Sequence, residues 1–364
     1  MNITIVAGAR PNFMKIAPII DAIKIKDEQG FSINFRLVHT GQHYDKNLSS
    51  TFFEELNIPY PNTNLEVKSG SQAGQTAAIM IGFEKELKQN LCDLVMVVGD
   101  VTSTMACTIV AKKAGIKVAH VEAGIRSGDM NMPEEINRIV TDSLTDYFFT
   151  TSKYANQNLK KLGVPANNIF FVGNVMIDTL LKNEIRFFKP NIWNDLNLKT
   201  KQYLVITLHR PSNVDKAQQL KSLITQIVSL GKDYPIIFPV HPRTKKMLKG
   251  LNLDFENLHF VEPLGYLEFN YLVKNALAIL TDSGGITEEA TVMNVPCVTL
   301  RDSTERPETC EIGTNVLVGT DSGKISNAFK TLLSNNWKQG KIPELWDGKT
   351  AVRIIDHLIN IFKL

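Results

Sequence analysis

The chain has 364 residues, 43% hydrophobic and 21% charged, enough to build sizeable cores and long enough for two domains. A formal net charge of +3, with lysines at most paired (Lys112-Lys113, Lys160-Lys161, Lys245-Lys246), argues against nucleic-acid or membrane-surface binding. The cysteines Cys92, Cys107, Cys297 and Cys310 form no CxxC pair and are expected to be reduced. No apolar run approaches a membrane span and no signal-peptide pattern opens the chain, so a cytoplasmic location is expected.

The first strand is expected at 2–7, followed by strands at 33–39, 93–98, 116–121, 147–150 and 169–172. Helical patterns at 71–89 and 103–114 lie between them. The pattern breaks near 173–201, where Pro190, Asn191, Trp193 and Asn194 fall, and then starts afresh. Strands follow at 203–207, 236–240, 258–261, 277–281, 296–300 and 315–318, with helices at 216–231, 285–294 and 321–334. Alternation of this kind predicts βαβ units and parallel sheets. The fold class is therefore α/β, with two doubly wound, Rossmann-like domains and the active site in the cleft between them. The first domain is expected over 1–172 and the second over 173–350, with a closing helix at 351–364 packing back on the first.

Parallel sheets place function where strands end and helices begin. At those points the chain has Gly8-Ala9-Arg10-Pro11, Thr40-Gly41-Gln42-His43, Gly99-Asp100, Glu122-Ala123-Gly124, His209-Arg210, His241-Pro242-Arg243 and Asp282-Ser283-Gly284-Gly285. The last is a strand, two glycines and a helix start, which suits a phosphate; a plain tight turn would look the same. Arg10 and Lys15 put two cations near a helix N-terminus, where an anion such as a diphosphate would offset them. Asp100 and Glu122 each end an apolar run, a costly place for a carboxylate without a hydrogen bond or a function. Glu134, Glu135 and Arg138 follow Pro133, and dipole compensation with an i,i+4 ion pair would account for them equally well. There is no GxGxxG, no P-loop and no HExxH, so neither NAD nor a metal is expected.

Taken in order, the motifs resemble the non-hydrolysing UDP-N-acetylglucosamine 2-epimerases along nearly the whole chain. They are GARPNFMK (Gly8–Lys15), TGQH (Thr40–His43), GDVTST (Gly99–Thr104), HVEAGIRSGD (His120–Asp129), PEEINR (Pro133–Arg138), GNVMID (Gly173–Asp178), TLHR (Thr207–Arg210), PVHPR (Pro239–Arg243), DSGGITEE (Asp282–Glu289) and RDSTERPE (Arg301–Glu308). The resemblance implies a glycosyltransferase-B-type fold, a UDP-sugar substrate, no cofactor and a homodimer. It implies that Arg10, His209, Ser283, Gly284 and Gly285 hold the diphosphate, Glu289 the ribose and Phe269 the uracil, with Arg306 also binding substrate. Lys15, Asp100, Glu122, Glu134 and Arg138 would surround the sugar, with Asp100, Glu122, Glu134 and His209 as the catalytic set. Gln42 and His43 would contact a second, activating substrate molecule.

Two positions depart from the family pattern. Asn12 stands where glutamate is common, which should leave the neighbourhood of Arg10 and Lys15 more positive, and Pro211 follows Arg210. A 2-epimerase of a related UDP-2-acetamido sugar, a glycosyltransferase of the same fold and a non-catalytic nucleotide-sugar sensor are the alternatives.

Overall fold

The structure is a computed structural model that describes residues 1–41, 55–240 and 242–364, with residues 10, 242 and 243 described by backbone only. Gln42, His43 and His241 lie outside the described residues. The chain divides into two compact units, residues 1–182 with 344–364, and residues 183–343.

In the first unit the described residues form a seven-stranded sheet of β1 (Asn2–Ala7), β2 (Asn34–His39), β3 (Thr63–Asn64), β4 (Leu94–Val98), β5 (Lys117–Val121), β6 (Tyr147–Thr150) and β7 (Ile169–Phe171). Their order is β3-β2-β1-β4-β5-β6-β7, and every pairing is parallel. All five residues of β4 are buried, as a strand covered by helices on both faces requires. On one face the helices Gln72–Gln89 and Thr102–Lys113 press Phe83, Ala106 and Cys107 onto Val6, Val38, Val95 and Val97. Emptying the fully buried Phe83 position to alanine would cost about 3–5 kcal/mol. The strand order reverses between β1 and β4, so a crevice opens at their carboxyl ends, where Gly8 and Gly99 stand.

The second unit repeats the plan with six strands among its described residues: β8 (Leu204–Thr207), β9 (Ile236–Pro239), β10 (Leu258–Val261), β11 (Ala278–Thr281), β12 (Cys297–Thr299) and β13 (Asn315–Leu317). Their order is β10-β9-β8-β11-β12-β13, again all parallel, so the reversal lies between β8 and β11. His209-Arg210 and Asp282–Gly285 follow those two strands.

Residues 173–182 and 344–350, read from sequence as part of the second domain, belong to the first unit. The reason is a buried carboxylate. Asp178 accepts hydrogen bonds from the N–H of Thr350 at 3.1 Å and of Ala351 at 2.7 Å, capping the last helix, Thr350–Phe362. Trp346 donates to the Thr151 carbonyl at 3.1 Å, and Lys26 pairs with Asp356 of the last helix at 2.7 Å. Among the described residues no helix is long and apolar enough to cross a membrane.

Candidate active site

The helix Arg10–Glu28 starts directly after β1, with Pro11 in its first turn, and Asn12 shapes that start. Asn12 is 2% exposed; its Oδ1 accepts from the N–H of Gly8 at 3.1 Å and of Ala9 at 2.9 Å, and its Nδ2 donates to the Val98 carbonyl at 2.9 Å. This side chain ties the exit of β1 to the exit of β4. The carboxylate beside Lys15 comes from Glu122, whose Oε2 lies 2.6 Å from Lys15 Nζ. Glu122 ends β5 in the left-handed region, φ 71°, a strained conformation for a residue with a Cβ and one concentrated at functional sites.

Gly99 forms the floor under this pair. It sits at φ 71°, and a Cβ there would stand 3.2 Å from Lys15 Nζ and 3.5 Å from Asn12 Nδ2. The next residue, Asp100, is gripped from the helix Pro133–Leu144: Arg138 donates through Nε at 3.1 Å and through NH2 at 2.6 Å to Asp100 Oδ2. Asn137 donates to the Asp100 carbonyl at 2.9 Å. Arg138 also pairs through NH1 with Glu135 at 2.7 Å. The ion pair on this helix is thus Glu135–Arg138 at i,i+3, whereas Glu134, the expected i,i+4 partner, makes no hydrogen bond or ion pair among the described residues. Arg138, read as a substrate ligand, is 4% exposed and pairs with both Asp100 and Glu135. Burial would raise the Glu135 pKa; the N–H of Ser127, Arg138 and the N–H of Gly128 outweigh it and hold the carboxyl below its ordinary value.

In the second unit Asp282 is the organising acid. Fully buried, it accepts from the N–H of His209 at 3.1 Å, the N–H of Arg210 at 3.0 Å and Asn213 Nδ2 at 3.1 Å, and it lies 2.8 Å from His209 Nδ1. Burial would push its pKa up, but His209 and these donors bring it below the ordinary aspartate value. The His209 ring is thereby oriented while its side chain stays 44% exposed. The helix Gly284–Val292 starts at the two glycines after Ser283, so its first N–H groups lack intrahelical partners and face any anion there.

Behind that turn Arg301 and Glu305 form a two-pronged pair at 2.8 Å, and Arg306 pairs with the buried Glu288. Glu289 is 4% exposed and accepts from the Tyr266 hydroxyl at 2.8 Å. Burial pushes its pKa to about 8, against the lowering effect of Tyr266 and with Glu288 adding to the rise. Phe269, on the helix Tyr266–Asn275, is half-buried against the apolar cluster of Trp193, Leu272 and Ile279.

Two residues of the first unit escaped the sequence reading. His120, fully buried in β5, lies 2.8 Å from the Gly99 carbonyl and 2.7 Å from Asp142 Oδ1. Their trace in the sequence was a histidine inside the apolar run VAHVEAG and an aspartate inside a helix, 22 positions apart.

A family model described as UDP-N-acetylglucosamine 2-epimerase matches residues 24–359. The UDP-N-acetylglucosamine 2-epimerase of Methanocaldococcus jannaschii is 43% identical over 98% of both chains. Its crystal structure in complex with UDP-GlcNAc and UDP superposes with a TM-score of 0.88, covering 99% of this chain and 100% of that one. A UDP-2,3-diacetamido-2,3-dideoxy-D-glucuronate 2-epimerase of Pseudomonas aeruginosa is 36% identical over 99% of this chain and 100% of its own. This chain belongs to the UDP-N-acetylglucosamine 2-epimerase family, a family of isomerases.

Proposed function

We propose that the chain interconverts UDP-N-acetylglucosamine and UDP-N-acetylmannosamine by eliminating UDP and adding it back. One observation carries this reading: Lys15 and Glu122, 2.6 Å apart, stand with Asp100 around the exits of adjacent parallel strands, in a chain 43% identical to an enzyme named for that activity. The C2 proton of the sugar is not acidic, so its loss must be coupled to departure of a good leaving group. A carboxylate takes the C2 proton, the C2–H electrons form a C1=C2 double bond, and the C1–O bond breaks with its electrons leaving on UDP. In the return step a β-phosphate oxygen of UDP rebuilds the C1–O bond while C2 receives a proton on its other face.

Glu122, Glu134 and Asp100 are the candidates for these proton transfers, with Lys15 as the counter-charge at Glu122. The leaving diphosphate calls for donors that strengthen as charge develops, a role for Arg10, His209 and the backbone at Ser283, Gly284 and Gly285. Arg306, Glu289 and Phe269 would hold the rest of the nucleotide. In this account the first unit carries the sugar chemistry and the second the nucleotide. A homodimer working in the cytoplasm, with a second substrate molecule bound near Gln42 and His43, completes the account.

A related UDP-2-acetamido uronate is the second reading, supported by the 36% identical relative named for such a sugar. Incubation with each UDP-sugar and no acceptor, followed by chromatography and proton NMR, decides between them. An equilibrium mixture of UDP-N-acetylglucosamine and UDP-N-acetylmannosamine supports the first. Turnover of the diacetamido uronate alone supports the second, and no turnover of either sugar until a sugar acceptor is added points to a glycosyltransferase.

A further inference from the structure

We propose that Asp142 is a positioning residue that fixes Asp100 and Glu122 relative to each other, with His120 and Arg126 as its arms. The inference rests on the reading of Asp100 and Glu122 as groups at the sugar. Asp142 projects from the helix Pro133–Leu144 and is 3% exposed. Its Oδ1 lies 2.7 Å from His120 Nδ1, and the other ring nitrogen of His120 lies 2.8 Å from the Gly99 carbonyl, one residue before Asp100. Its Oδ2 accepts from the N–H of Gly124 at 3.0 Å and from Arg126 at 2.7 Å, two and four residues beyond Glu122. One carboxylate therefore holds the exits of both β4 and β5.

Those exits need holding. Glu122 (φ 71°) is a non-glycine residue in the left-handed region, which persists only where the surroundings over-determine it, and Gly99 and Gly124 are glycines free to take other conformations unless held. The Gly99 carbonyl and the Asp142 carboxylate, on the two sides of the His120 ring, are both acceptors. The brace has a donor–acceptor polarity that substitutions can break and restore.

In His120→Gln one end of the amide faces Gly99 and the other Asp142, so its carbonyl must meet an acceptor. In Asp142→Asn the amide oxygen keeps Gly124 and Arg126 while its N–H faces His120 Nδ1, which accepts in a neutral ring. In the double variant the glutamine N–H serves Gly99 and its carbonyl accepts from the asparagine amide. His120→Gln should lose roughly 100-fold in kcat, the scale of a 1 Å misplacement, with KM little changed, Asp142→Asn should lose less, and the double variant should recover at least about tenfold over His120→Gln. Hydrogen exchange should quicken over 97–104 and not over 121–128 in His120→Gln, which keeps the Gly124 and Arg126 bonds. If Asp142→Asn does not fold, His120→Gln carries the test by itself. Unchanged kcat in His120→Gln, no recovery in the double variant, or faster exchange spread evenly over the first unit overturns the proposal. Glu122→Gln serves as control: if it keeps full activity, the reading of the chemistry fails, while the exchange data still judge the brace.

Discussion

Lys15 Nζ lies 2.6 Å from Glu122 Oε2 although the residues are 107 positions apart, and the Glu122 side chain is only 2% exposed. A carboxylate so placed depends on its cation. Lys15→Met removes this partner, which should cost up to about 3–5 kcal/mol of stability and also lower kcat. Adding Glu122→Gln to Lys15→Met removes the buried charge as well, so the urea midpoint should return toward the wild-type value while activity stays low. A double variant no more stable than Lys15→Met would show that the pair does not hold this end of β5.

Glu134 differs from the other acids in having no hydrogen bond or ion pair among the described residues. Glu134→Gln should therefore leave the melting temperature unchanged and lower kcat by about 10²–10⁴-fold, as loss of general acid–base help does. Asp100→Asn should lower kcat on the same scale and loosen Arg138 as well. Steady-state kinetics beside thermal melts separate the two, and a fully active Glu134→Gln removes that residue from the chemistry.

Asn12 is expected to matter through its amide. Asn12→Asp keeps the acceptor for Gly8 and Ala9 but replaces the donor to the Val98 carbonyl by a buried carboxylate oxygen facing that carbonyl, which keeps only Thr104 Oγ1 at 3.0 Å, at a cost of about 1–3 kcal/mol. Asn12→Glu should be at least as destabilising, and neither variant should change the ratio of kcat/KM between UDP-N-acetylglucosamine and a UDP-2-acetamido uronate. A changed ratio in a stable variant would restore the charge at position 12 as a specificity determinant.

Glu289 gives the second unit a pH dependence of known sign. Its folded pKa, pushed up by burial to about 8, exceeds its ordinary value of 4.5, so the folded state holds the proton more tightly. That contribution is complete below pH 4.5 and is lost as pH rises toward 8. Glu308, pushed by burial to about 7 despite Arg306, acts in the same direction. Urea unfolding of the second unit should weaken between pH 6 and pH 8, with a slope of up to about 1.4 kcal/mol per pH unit from Glu289. Glu289→Gln, which keeps an acceptor for Tyr266, should flatten that slope. An unchanged slope would mean that Glu289 titrates as an exposed carboxylate does.

The sheets were legible because parallel strands buried on both faces read as unbroken apolar runs, as LVMVV in β4 does. Thr63–Asn64 was not, since two residues paired with Val38 and His39 leave no periodicity to detect. Candidate positions stood out wherever a glycine or charge followed such a run. Partnerships were not. Whether Arg138 pairs with Glu134 or Glu135 depends on where the helix faces Asp100, and the reach of Asp142 to Gly99 through His120 depends on how β4 and β5 lie beside the helix Pro133–Leu144. The domain boundary moved for the same reason: the carboxylate of Asp178 finds its donors at Thr350 and Ala351, 172 and 173 positions away.

The central claim is proton exchange at C2 coupled to loss and return of UDP, and one measurement addresses it directly. The chain is incubated with UDP-N-acetylglucosamine in heavy water, and proton NMR follows the C2 position as UDP-N-acetylmannosamine forms. The account requires solvent deuterium at C2 of the product, with exchange sharply slowed in Glu122→Gln. Product that retains its original proton at C2 would contradict elimination and re-addition.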